Sequence, residues 1–141
     1  MDKPDLRIFI AHAKGDSDQA LKEYVAGITL ALRQTFGNRE PKVTLGRDDY
    51  ARHFATAGAW DRWARDVVTR IMPVSREPAY HGIVVPVDDT ARVGAATKIM
   101  IEHAVTIGKP VLIYSQAGIL TRASRVVKVA ERDFKTGWEI S

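Results

Sequence analysis

The stretch from Tyr80 to Tyr114, YHGIVVPVDDTARVGAATKIMIEHAVTIGKPVLIY, restricts the fold more than any other part of the chain. It holds two short apolar runs, Gly82 to Val87 and Pro110 to Tyr114, each the length of a strand buried on both faces. Between them lie about three turns of apolar sequence, enough for a crossover helix. A strand, helix and strand of this size form a βαβ unit, whose strands run parallel with a right-handed connection. The first connection, VDDTARVG, places two acids, an arginine and a glycine between a strand end and a helix start. Ligands of open α/β sheets collect there, outside the carboxyl ends of strands and near free helix N–H groups.

The rest of the chain extends this pattern. Leu6 to His12, LRIFIAH, is β-branched and aromatic and reads as a leading strand. Asp16 with Gln19 three residues on predicts a capping box at the start of a helix. That helix carries Leu21, Tyr24, Val25, Ile28, Leu32 and Phe36 on one face, and Gly37-Asn38 stops it. Lys42 to Leu45 is a short second strand, followed by a polar loop over Gly46 to Tyr50. Gly58 to Ile71 predicts a second amphipathic helix with Trp60, Trp63, Val67 and Ile71 inward. Ser115 to Ser124 reads as another loop, Val126 to Val129 as an edge strand and Trp138 to Ile140 as a final strand.

Alternation of this kind predicts one α/β domain over residues 1–141: a three-layer sandwich with a parallel sheet of about five strands and helices on both faces. The expected topology is flavodoxin-like or Rossmann-like, order 2-1-3-4-5, with the switch point between the first and third strands. The loops AHAKGDS and VDDTARVG then face each other across one crevice.

Composition narrows the function classes. Charged residues make up 27% and apolar ones 45%, the balance of a globular domain rather than a disordered one. With no cysteine there are no disulfides or thiolate metal sites, which agrees with a reducing, cytoplasmic setting. No apolar run approaches the roughly 20 residues of a membrane span, and no secretory signal is visible. The net charge of +4 is spread out and is not a nucleic-acid signature, so nucleic acid is not the expected partner. Four histidines without ligand spacing give metal catalysis no support, and no cofactor motif such as GxGxxG is present.

The two expected loops supply the candidate ligand residues. Asp88 and Asp89 end a central strand, where a carboxylate holds a ribose hydroxyl or a base amine, or else caps its own turn. Arg92 with Gly94 at the helix mouth suits a phosphate. His12 and Lys14 belong to the opposing loop, and Asp48 and Tyr50 leave the second strand near the same edge, where Tyr50 is able to stack on a ring.

IVVPVDDTARVGAATKIMIEHAVTIGKPVLIY resembles the nucleoside 2-deoxyribosyltransferase-like group, which includes nucleotide N-glycoside hydrolases. The shared features are a strand ending in a small acidic loop, a small-residue helix start, and Ala104 to Val111 in the pattern A-x-x-x-G-K-P-V. RIFIAHAKGDSD is also similar to the start of TIR domains, a related α/β architecture whose enzymatic members cleave NAD. The resemblance implies a helix glutamate that stabilises or traps an oxocarbenium-like anomeric carbon as an N-glycosidic bond breaks. In the family pattern that glutamate precedes the glycine of GKP by about eight residues, where this chain has Met100; the nearest acid is Glu102. A two-residue offset turns a side chain by roughly 200° around a helix.

Two functions follow. The first is a nucleoside or nucleotide N-glycosidic-bond transferase or hydrolase, with Glu102 and Asp88 as the catalytic candidates. The second is a non-catalytic module, either a nucleotide-binding sensor or a TIR-like self-assembling domain. Either would take a nucleoside or nucleotide as ligand, and the resemblance implies a homo-oligomer.

Overall fold

A computed structural model describes residues 3–13, 15–48, 80–87, 92–106, 108–123, 126–130 and 136–140. The expected helix over Gly58 to Ile71, with Trp60 and Trp63, lies outside them. The elements are β1 (Asp5–Ile10), α1 (Asp18–Thr35), β2 (Glu40–Leu45), β3 (Gly82–Pro86), β4 (Arg92–Val93), α2 (Ala95–Thr106), β5 (Val111–Tyr114), β6 (Leu120–Arg122), β7 (Val126–Ala130) and β8 (Thr136–Ile140).

The main sheet has five strands in the order β2-β1-β3-β5-β6. β1 pairs parallel with both β2 and β3, and β3 pairs parallel with β5. The predicted order 2-1-3-4-5 is therefore present, and the chain reverses its winding between β1 and β3. The fifth place is filled differently from expectation. Leu120–Arg122, within the stretch read as a loop, runs antiparallel to β5 with Leu112 opposite Arg122. Gly118 at φ +78 permits the tight return, in which the Gly118 N–H donates to the Ser115 carbonyl at 2.9 Å. The expected edge strand, as β7, belongs instead to a separate antiparallel sheet β4-β8-β7. That sheet takes Arg92–Val93 out of the VDDTARVG loop as β4, with Arg92 opposite Glu139.

Alternate residues of the central strands point to opposite faces, and each face has its own apolar cluster. Leu6, Ile8, Ile10 and Val84 cluster with Leu21, Ile28 and Leu32 of α1, and Tyr24, Leu112 and Tyr114 pack against them. Phe9, Ile83, Val85 and Val111 cluster with Met100, Ile101 and Ala104 of α2. Ile10, Ile28, Leu32 and Ile101 are fully enclosed, each contributing about 1.5–3 kcal/mol relative to exposure. The Phe9 ring meets Tyr80 edge-on, with centroids 5.3 Å apart.

The helix ends explain how the sites are presented. α1 starts one residue later than the capping box predicts: the Ser17 hydroxyl accepts the Ala20 N–H at 3.1 Å. Asp16 instead accepts the Ala13 N–H at 3.0 Å and so closes the loop after β1. α2 is followed by Gly108, whose φ of +76 lets the Lys109 N–H reach the Ala104 carbonyl at 2.9 Å. The Gly-Lys-Pro signature thus records a left-handed helix stop before β5. Residues 46–48, expected as loop, are helical. Among the described residues no helix is long and apolar enough to cross a membrane.

Candidate functional site

The carboxyl ends of β1, β3 and β5 share one edge of the sheet because all three strands run parallel. The expected crevice exists there. Ala11 and Ala13 after β1, Val85 and Pro86 of β3, and Val93, Gly94 and Thr97 at the mouth of α2 line one cleft. The two loops therefore meet as the sequence predicts. The cleft holds only about 50 Å³, room for a few water molecules rather than a nucleotide. Gly94 contributes its carbonyl to the Lys98 N–H at 2.9 Å, which makes it the residue that caps α2.

Of the anticipated ligand residues whose side chains are described, His12 and Asp48 do not line that cleft, while Gly94 does. His12 is buried, and both ring nitrogens are committed to the backbone. Nε2 accepts the Arg47 N–H at 2.9 Å, so Nδ1 carries the proton and donates to the Ala13 carbonyl at 2.9 Å. The ring works as a clamp between the loop after β1 and the end of β2. Asp48 is exposed, its Oδ1 3.6 Å from Nε of Arg47, which also pairs with Asp18. Arg92 enters β4. Lys14, Tyr50, Asp88 and Asp89 lie outside the described residues.

Glu102 lies on the solvent side of α2, its side chain 51% exposed and its Oε1 3.4 Å from Lys98 Nζ. It lines neither cavity at the carboxyl edge. Met100, at the position the resemblance assigns to a glutamate, is 2% exposed and packs in the core between α2 and the sheet. The offset is thus a real rotation: one position faces the core and the other faces water.

A larger cavity opens on the α1 side of the same edge. It measures about 290 Å³ and is lined by Ala20, Glu23 and Tyr24 from α1, Val87 after β3, and Tyr114, Ser115 and Gln116 at the end of β5. Its walls are built by elements already fixed by the core, since Tyr24 and Tyr114 both pack against the α1 cluster. Tyr114 is held by close approach: a Cβ on Gly27 would lie 2.1 Å from the Tyr114 hydroxyl oxygen. Glu23 accepts from Gln19 Nε2 at 3.2 Å through Oε1, one turn along the helix. The Ser115 hydroxyl accepts the Ile119 N–H at 3.3 Å.

Chemically the cavity offers a carboxylate acceptor, two phenols, a hydroxyl and an amide around an aromatic wall. That set suits a small ligand bearing hydroxyl groups and a ring. Among the described residues no group of His, Asp and Glu is placed to hold a metal ion. The sequence does not reveal this cavity, because Tyr24 fits the apolar face of α1 and is indistinguishable there from a core residue. The usable signal was Ser115-Gln116, polar residues placed directly after a buried strand. Compared with protein-family models, curated proteins and solved structures, the chain matches none.

Proposed function

We propose that this chain is a non-catalytic binding module for a nucleoside- or nucleotide-type small molecule, built on a three-layer, flavodoxin-like α/β frame. The observation that carries the reading is the 290 Å³ cavity beside the switch point, with Glu23, Tyr24, Tyr114, Ser115 and Gln116 on its walls. Its size falls just below the range of small-molecule sites, which run from about 300 to 1,000 Å³. Aromatic walls suit a base, and a carboxylate with hydroxyl and amide neighbours suits a sugar. Absence of catalysis is supported by Met100 in the core and by Glu102 paired with Lys98 in solvent.

N-glycosidic-bond cleavage is the second reading, drawn from the resemblance. Glu23 favours it to the extent that a carboxylate borders the cavity, as an oxocarbenium-like transition state needs. One experiment separates the two: incubation with a panel of nucleosides and 5′-nucleotides, following both binding heat and free base. The proposed function expects saturable binding with no base released. Base release abolished by Glu23→Gln or Glu102→Ala would replace it with the enzymatic reading, and the variant that abolishes it would name the carboxylate. No binding and no release would refute both.

A further inference from the structure

We infer that the cavity beside α1 selects an uncharged, hydroxyl-bearing ligand over its phosphate ester, and that Glu23 sets this choice. The inference rests on the cavity being the ligand site. Among the described residues lining it, Glu23 is the one ionised side chain, and Arg and Lys are absent. A carboxylate only accepts hydrogen bonds. Gln19 donates to Oε1 alone, so among the described residues Oε2 has no protein donor. Sugar hydroxyls meet that need by donating, whereas a phosphate monoester brings a second anion that cannot donate while fully ionised.

Among the described residues, two neighbouring features that ordinarily attract phosphate, the start of α1 and Arg47, are already occupied. The N-terminus of α1 is closed by the Ser17 hydroxyl on the Ala20 N–H, and Asp18 adds a negative charge in the first turn. Arg47, close to that helix start, is engaged by Asp18 and Asp48. The positive end of the helix thus meets acids of the chain itself, while its second turn presents Glu23 to the cavity. Gly94, one of the two residues expected to suit a phosphate, lines the smaller cleft on the other face of the sheet.

Isothermal titration with the four ribonucleosides and their 5′-monophosphates tests the assignment, on the wild-type chain and on Glu23→Gln. The expected result is a bound nucleoside at least about tenfold tighter than its monophosphate, equivalent to about 1.4 kcal/mol. Glu23→Gln is expected to narrow that ratio to within about threefold, and raised salt to narrow it in the wild type. Circular dichroism and a melting curve establish that the variant is folded, as an exposed helix position allows. A monophosphate binding as tightly as its nucleoside, or a ratio untouched by Glu23→Gln, overturns the inference while leaving the site intact. Failure of both ligand classes to bind overturns the site itself.

Discussion

Gly27→Ala tests how the cavity wall is held. Gly27 lies in the middle of α1, where alanine is normally the better helix residue by about 1 kcal/mol. Here the added Cβ would stand 2.1 Å from the Tyr114 hydroxyl oxygen and 3.0 Å from Cζ of that ring. Reaching ordinary contact requires the hydroxyl to retreat by about 1.3 Å from the 2.1 Å position. Tyr114 ends β5, so its backbone is fixed by pairing with β3 and β6, and the ring must give way. Overpacking of this kind costs about 1–3 kcal/mol. Set against the helix gain, the variant should lose about 1 kcal/mol, or about 3–5 °C in Tm for a chain of this size.

Tyr114→Phe removes the atom that collides. In that background Gly27→Ala should cost less by about 1 kcal/mol, a coupling readable from urea denaturation of the four proteins. Because Tyr114 lines the cavity, Gly27→Ala alone should also weaken ligand binding by more than its stability loss accounts for. Gly27→Ala stabilising the wild type by the full helix increment, or costing the same with Phe at position 114, would refute the contact.

Three further outcomes follow from the polar framework. His12→Ala leaves the Arg47 N–H without its acceptor and should cost about 1–3 kcal/mol in chemical denaturation, a loss unrelated to ligand. Ser17→Ala should cost about 1 kcal/mol by removing the cap of α1, whereas an Asp16 cap would have made Asp16→Ala the cause of helix fraying measured by hydrogen exchange. His81 is held below the usual histidine range by burial first, then by the charges of Arg39, Arg7 and Lys109, while Asp5 opposes them. Its neutral ring accepts the Arg7 N–H through Nδ1 at 2.9 Å, linking β1 to the chain entering β3. The unfolded chain takes up this proton near pH 6.5 and the folded chain resists it, so this contribution is present above about pH 6.5 and lost as pH falls through the folded value. Denaturation midpoints between about pH 7.5 and about pH 5 should decline less in His81→Asn than in wild type; an equal decline would show that other groups set the slope.

The legible parts of the fold are those whose signal is local. Leu21, Ile28 and Leu32 recur at the helical period and are buried in α1 as that period requires. Ile83, Val84 and Val85 form an unbroken apolar run because β3 is covered on both faces, and the run was readable as such. The stop at Gly108 and the resumption at Val111 were visible in Gly-Lys-Pro. By contrast, Leu120–Arg122 carries too few residues for any period to show, and Val126–Ala130 looks the same whether it joins one sheet or another. Edge pairing is a choice among partners distant in sequence, and no local pattern encodes it.

The site divides along the same line. Residue order alone determined that the turns after β1 and before α2 would meet, because a parallel sheet with right-handed crossovers leaves those loops no other edge. Only the tertiary structure decided which side chains are free to act there. His12 is consumed by an amide 35 positions away, Glu102 is turned to solvent beside Lys98, and Tyr114 is propped against Gly27. Hydrogen-bond satisfaction and steric fit depend on atoms brought together from separate stretches, so they are settled only when the chain has closed on itself.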